Sequence, residues 1–193
     1  MSASLPTRSR ILGTARDIIQ ARGYGRLHYA EVSQTVGIQG PTIHYYFPHK
    51  ADLGVAVLAD YRAELAAKLA AIDRESATAE KKIARYIDLY TAVLDEDEEH
   101  MCPGGMLAAE VVSLPPDLQA EVREFFADNE RWLAGVLAEL EGGSAVPAAE
   151  LTVKARRLLS ALQGALLIAR LYRDRERFLE VAASWKSVLG PVE

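Results

Sequence analysis

The sequence predicts an all-α protein of about nine helices. Apolar residues recur three and four apart in nearly every segment between glycine and proline breaks, and no segment reads as a convincing strand. The composition agrees: half of the 193 residues are hydrophobic and a quarter are charged, an ordinary globular balance in a chain long enough to bury a core.

The first helix is predicted over residues 8–22, where Ile11, Ala15, Ile18 and Ile19 share a face, Thr7 offers a cap and Gly23 stands where a left-handed C-terminal cap belongs. A short helix over 30–36 buries Val32 and Val36 and stops at Gly37. Gln39 and Gly40 lead into a second short helix over 41–47, opened by Pro41 and closed by Pro48, since proline suits a first helical turn and steers its predecessor away from the helical region. Two short helices around a glycine-containing turn are a helix-turn-helix candidate. A long helix follows from about residue 51 (Leu53, Val57, Tyr61, Leu65, Leu69) and another from about 78 (Ile83, Tyr86, Ile87, Tyr90, Leu94). The acidic run Asp95 to Glu99 and then Pro103-Gly104-Gly105 interrupt the pattern before a helix from Met106 to Val112. Pro115-Pro116 opens the next, with Leu118, Val122, Phe125, Trp132, Val136 and Leu140, ended by Gly142-Gly143. The last two span about 149–172 and 175–189, and the domain boundary is placed after residue 50, giving a head (1–50) and a body (51–193).

Charge separates the same two parts. The first 50 residues carry six lysines or arginines against two acids, a net charge of +4, which leaves −9 for the rest of a chain whose total is −5. A basic head on an acidic body is the asymmetry of a protein with one end on a polyanion. No apolar run approaches the roughly 18 residues needed to span a bilayer, and the N-terminus lacks an apolar signal core, so a cytoplasmic protein without membrane contact is expected. The single cysteine, Cys102, excludes an internal disulfide framework and a multi-cysteine zinc site. Consecutive carboxylates at 95–99 do not supply the convergent geometry of a calcium loop and read as a solvated segment. Neither a metal nor a cofactor is expected.

Ala15, Gly23-Tyr24, Val32, Gly37-Ile38, Gly40, Tyr46-Phe47, Lys50 and Leu53 stand at the spacing of the DNA-binding domain of TetR-type transcriptional regulators, which the first 50 residues resemble. The resemblance implies a three-helix head on a helical ligand-binding and dimerisation domain. A major groove about 12 Å wide admits a helix whose N-terminal residues face the bases, and here that helix is 41–47. Thr42 suits a base edge or a thymine methyl, His44 offers a polar ring one turn down, and Tyr45 reaches sugar or phosphate. Gln39, Gly40, Pro41 and Tyr46 complete the surface, Lys50 resembles the family lysine on a phosphate, and Arg26 and Tyr29 flank the preceding helix. Phe47 and Tyr46 also suit the small core of the head. The chain departs from the pattern at His28, where a Thr or Ser cap is common, and at His44, where a tyrosine is; the second change alters sequence preference.

The segment Met101-Cys102-Pro103-Gly104-Gly105-Met106-Leu107-Ala108-Ala109-Glu110, the Trp132 helix and Gln163-Gly164-Ala165 resemble the regulatory domain of a TetR branch that includes repressors responding to electrophiles and small unsaturated acids. In that branch a cysteine at the place of Cys102 can be the sensor; a buried structural thiol is the other reading. Tyr61, Tyr86, Tyr90, Met106, Phe125, Trp132, Gln163 and Leu167 are expected to line a small-molecule pocket, or simply to fill a core. Arg170 or Arg131 would clamp a carboxylate effector, or lie on the surface. Leu158, Leu162, Ala165, Leu166, Phe178, Val181 and Trp185 on the last two helices are more apolar surface than one chain easily covers, and the resemblance implies a two-fold homodimer through them. Two heads must reach successive major grooves of double-stranded operator DNA, about 34–36 Å apart. The expected function is a repressor released by a small-molecule effector. A regulator without a ligand, or an activator, is the alternative, and an enzyme using Cys102 with His100 as base is a remote one, because residues two apart on a helix do not face each other.

Overall fold

The structure, a computed structural model, describes residues 6–96, 100–141 and 146–188. Among them are nine α-helices and two single 3₁₀ turns, and no strand. The helices are α1 (Thr7–Arg22), α2 (Tyr29–Val36), α3 (Gly40–Tyr46), α4 (Lys50–Glu75), α5 (Ala79–Glu96), α6 (Pro103–Ala109), α7 (Pro116–Leu140), α8 (Ala148–Tyr172) and α9 (Glu176–Val188). The 3₁₀ turns, Tyr24–Arg26 and Val111–Ser113, follow α1 and α6. The acidic side chains of residues 95–99 and the Gly142-Gly143 stop lie outside the described residues.

Two compact units emerge, Met1–Ala63 with Pro103–Phe125, and Glu64–Cys102 with Phe126–Glu193. They do not coincide with a boundary after residue 50, because the first unit holds α1–α3 together with the beginnings of α4 and α7 and all of α6. Ile11, Ile19, Leu27, Val32, Ile43 and Leu53 form its core. Gly54 on α4 permits a close approach there, since a Cβ would stand 2.9 Å from both Leu118 and the Tyr24 ring. In the second unit α8 pairs with α9, and both pack on α5. Ile83, Tyr86, Ile87, Leu162 and Phe178 are fully or almost fully buried in it.

The boundaries follow local chemistry. The His49 N–H donates to Asp52 Oδ2 at 2.9 Å, a carboxylate reaching back to cap α4. Gly37 ends α2 in the left-handed region at φ 72°, ψ 41°. Gly23, expected in the same conformation, has φ 84° with ψ 169°, a different glycine-favouring region. The α6 helix begins at Pro103, three residues before the predicted start: proline fits a first turn, and Gly104 lets the helix lie on the Phe125 ring, where a Cβ would stand 2.4 Å from the ring.

Candidate nucleic-acid interface and effector region

In the head, α3 is held from beneath by Ile43 and Phe47, which are 0% and 3% exposed. With these two positions turned inward, Gln39, Gly40, Pro41, His44 and Tyr45 face outward and Thr42 is half-buried. Tyr45 is 83% exposed, whereas Tyr46, at 36%, lies on the rim and packs edge-on against Tyr45 at 5.3 Å. The expectation that Tyr46 shares the core with Phe47 is thus corrected: its position on the seven-residue helix turns it outward.

Tyr29 is half-buried, and its hydroxyl donates to the Phe47 carbonyl at 2.8 Å, tying α2 to the end of α3. Burial pushes its phenol up to about 12, with the charge of Asp52 adding to the effect, so it stays protonated. The ring also meets His44 edge-on at 4.9 Å. Tyr29 thereby positions α3, a role that sequence reasoning, which placed it on DNA, did not find. The Lys50 ammonium lies 4.3 Å from the centroid of the Tyr24 ring; burial pushes its pKa down while the charge of Glu110 pushes it up. Arg10 donates to the Val36 carbonyl and Arg22 pairs with Glu31, so these two basic groups brace the head, while Arg26 is exposed. His28 is the N-cap of α2 and makes no side-chain cap bond.

The residues expected around an effector divide between the units. In the first unit the Tyr61 and Phe125 rings lie 5.9 Å apart with Arg16 over Tyr61, and Met106 is half-buried on α6. In the second, a buried polar chain links three helices: Tyr86 Oη donates to Asn129 Oδ1 at 2.8 Å, Tyr86 and Tyr90 hydroxyls are 3.3 Å apart, and Gln163 Nε2 donates to Tyr90 Oη at 3.3 Å. Gln163 Oε1 is buried without a hydrogen-bond partner. Trp132 stacks on Tyr86 at 5.4 Å and donates its indole N–H to Asp73 at 2.9 Å. Burial pushes the Tyr86 phenol well up, the bond with Tyr90 offsets part of that, and the charge of a Cys102 thiolate would add to it. Cys102 is 3% exposed.

The structure leaves other expected residues apart from this cluster. Leu167 is 53% exposed, because its side of α8 turns outward. Arg131 is exposed and pairs with Asp128 at 2.6 Å, and Arg170 is half-buried near the end of α8. Leu158, Leu162, Ala165, Leu166 and Phe178 are buried within the chain and Val181 and Trp185 are half-buried: the pairing of α8 with α9 already covers much of the surface expected to meet a second copy. The exposed large apolar residues of α8 are Val153, Leu167, Ile168, Leu171 and Tyr172. No group of three or more metal-ligating side chains occurs among the described residues, nor a helix long and apolar enough to cross a membrane.

A short helix pinned by two buried apolar side chains, with its polar face outward beside a second short helix, defines a helix-turn-helix protein. The pattern of the family described as bacterial regulatory proteins, tetR family, matches residues 11–57, and that of the transcriptional regulator LmrA/YxaF-like C-terminal domain matches residues 79–184. The chain belongs to the TetR family of transcriptional regulators. The crystal structure of a TetR transcriptional regulator from Legionella pneumophila is 33% identical, with a TM-score of 0.88 and 97% of this chain and 99% of that chain covered. The reduced form of E. coli NemR shares the fold at 22% identity and a TM-score of 0.78, over 93% of this chain and 95% of that one. The fatty acid metabolism regulator protein of Bacillus subtilis (strain 168) is 24% identical over 97 residues, so the match spans about half the length of that relative and half of this chain. Family and fold are those of transcriptional regulators, not of enzymes.

Proposed function

We propose that the chain is a ligand-responsive repressor that binds operator DNA as a homodimer and is released by a small-molecule effector. The observation that carries the DNA reading is the outward face of α3, where Thr42, His44 and Tyr45 stand on a helix fixed by Ile43 and Phe47. Thr42 and His44 read base edges, Tyr45 meets the backbone, and Lys50 neutralises a phosphate.

The effector reading is supported by the buried chain of Tyr86, Tyr90, Asn129 and Gln163. A buried acceptor without a partner is rare, and Gln163 Oε1 would be satisfied by an N–H or O–H of a bound molecule. These groups are neutral, which favours an uncharged effector over the carboxylate for which Arg170 or Arg131 would act as clamp. Buried Cys102, whose charge as a thiolate would act on Tyr86, supports the electrophile-responsive alternative. The effector must favour the released state by about 1–3 kcal/mol of coupling.

Fluorescence anisotropy of a labelled duplex from upstream of the gene, across salt concentrations, tests the first half. Selective binding is expected, with Thr42→Ala relaxing selectivity by about 1–3 kcal/mol and Lys50→Ala weakening all sequences while lowering the salt slope by about one. Binding no tighter than to random DNA would refute a local operator. For the thiol, one equivalent of N-ethylmaleimide should lower DNA affinity in the wild type and leave Cys102→Ser unaffected; affinity unchanged after full labelling would make Cys102 structural.

A further inference from the structure

We propose that Glu110 is the positioning residue through which α6 acts on the DNA-binding head; this rests on the regulator reading above. Glu110 closes the Gly104-Gly105-Met106-Leu107-Ala108-Ala109-Glu110 motif, and its backbone is locked in a turn. Its N–H donates to the Leu107 carbonyl at 3.1 Å, and its own carbonyl accepts from the Ser113 N–H at 2.9 Å and the Ser113 hydroxyl at 2.8 Å. The side chain therefore leaves the end of α6 in a fixed direction.

It is aimed at the turn between α1 and α2, 85 residues earlier in the chain, where Glu110 Oε2 accepts the Gly25 N–H at 2.9 Å. Gly23 makes room for it: a Cβ there would stand 1.8 Å from Glu110 Oε1, and the φ of 84° already disfavours any other residue. The same carboxylate acts electrostatically on Lys50, the first residue of α4 and the proposed phosphate contact. One group thus touches the turn that sets where α2 begins and balances the charge of a lysine that meets DNA.

On the other side, α6 starts at Pro103, directly after Cys102, and is seated on Phe125 through Gly104. The seven-residue helix α6 is the segment between Cys102 and Glu110, so a shift at its beginning would withdraw the carboxylate at its end. Withdrawal frees the Gly25 amide, loosens the α1–α2 turn and leaves Lys50 without its countercharge. A packed element with two arrangements is what coupling between sites requires.

Hydrogen–deuterium exchange of the peptide spanning residues 23–28, measured on the full-length protein, tests this without an effector. Glu110→Ala should speed exchange there by about tenfold, and Glu110→Gln, which keeps an acceptor oxygen, should restore most of the protection. Gly104→Ala, whose methyl displaces α6 from Phe125, should speed the same exchange when Glu110 is present and change nothing further in Glu110→Ala; Phe125→Leu serves as a second displacement if Gly104→Ala does not fold. Exchange at 23–28 unchanged in Glu110→Ala, or a displacement that acts equally with and without Glu110, overturns the proposal. Loss of operator selectivity in the wild type would defeat the regulator reading separately, since the exchange result does not depend on DNA.

Discussion

Tyr29 shows how a residue of the helix-turn-helix can hold the recognition-helix candidate in place. Its hydroxyl is committed to the Phe47 carbonyl, and Phe47 caps α3, so the bond fixes where the helix before α4 ends. Tyr29→Phe should destabilise the protein by about 1 kcal/mol, the net worth of one such bond, and weaken operator binding without changing sequence preference, as read by thermal unfolding and by anisotropy on operator variants. Selectivity altered as by Thr42→Ala would instead place the hydroxyl on a base. The pH dependence has a definite sign. A phenol raised from 10 in the unfolded chain to about 12 in the folded one contributes stability fully present below pH 10 and lost as pH rises through 12. Wild type should therefore lose more stability than Tyr29→Phe between pH 10 and pH 12, a comparison open to urea unfolding at each pH.

At the scale of the helix, the buried chain across α5, α7 and α8 is costly to interrupt. Tyr86→Phe deletes the donor to a buried Asn129 at 2.8 Å and should destabilise the protein by about 1–3 kcal/mol. Because Trp132 stacks on Tyr86, its fluorescence reports the same change; urea unfolding indistinguishable from wild type would mean that the chain carries little stability. Helices were legible in the sequence where punctuation is chemical: Gly37, Pro41, Pro48 and Pro116 mark ends that depend on a single residue's backbone. The outward face of α3 was legible only in part: Phe47 read as core, but so did Tyr46, which the phase set by Ile43 and Phe47, four apart, turns outward. The start of α6 was not, since Pro103-Gly104-Gly105 reads as a break until Phe125, some twenty residues later, provides the surface on which Gly104 rests. Nor was the bond from Glu110 to Gly25, for periodicity carries no information about contacts so distant in the chain. In α8, apolar residues run almost all round the helix from Leu158 to Leu171, so no phase can be assigned from the pattern, and the inward Leu166 and the outward Leu167 differ only by one residue of rotation.

That rotation decides how two copies would meet. Leu167, Ile168, Leu171 and Tyr172 form an exposed apolar stripe at the end of α8, and Leu171 is 70% exposed. A turn earlier Ser160 and Gly164 are exposed, and a Cβ on Gly164 would meet nothing of its own chain within 4 Å, which leaves space for close approach of a second helix. The dimer proposed above would use this stripe, with the buried leucines of α8 behind it. A two-fold contact is self-complementary, so Leu171→Glu would place a carboxylate from each copy in an apolar interface. Dimer affinity should fall about 100-fold or more by sedimentation, with helical content and the melting of the individual chain retained. Operator affinity should fall to that of one head, because the second head is no longer held near its half-site at about millimolar effective concentration, while Leu166→Ala, on the inward side, should lower stability and leave the dimer largely intact. A Leu171→Glu protein that sediments as the wild type does would move the interface off this face of α8, and with it the spacing of the two recognition helices on DNA.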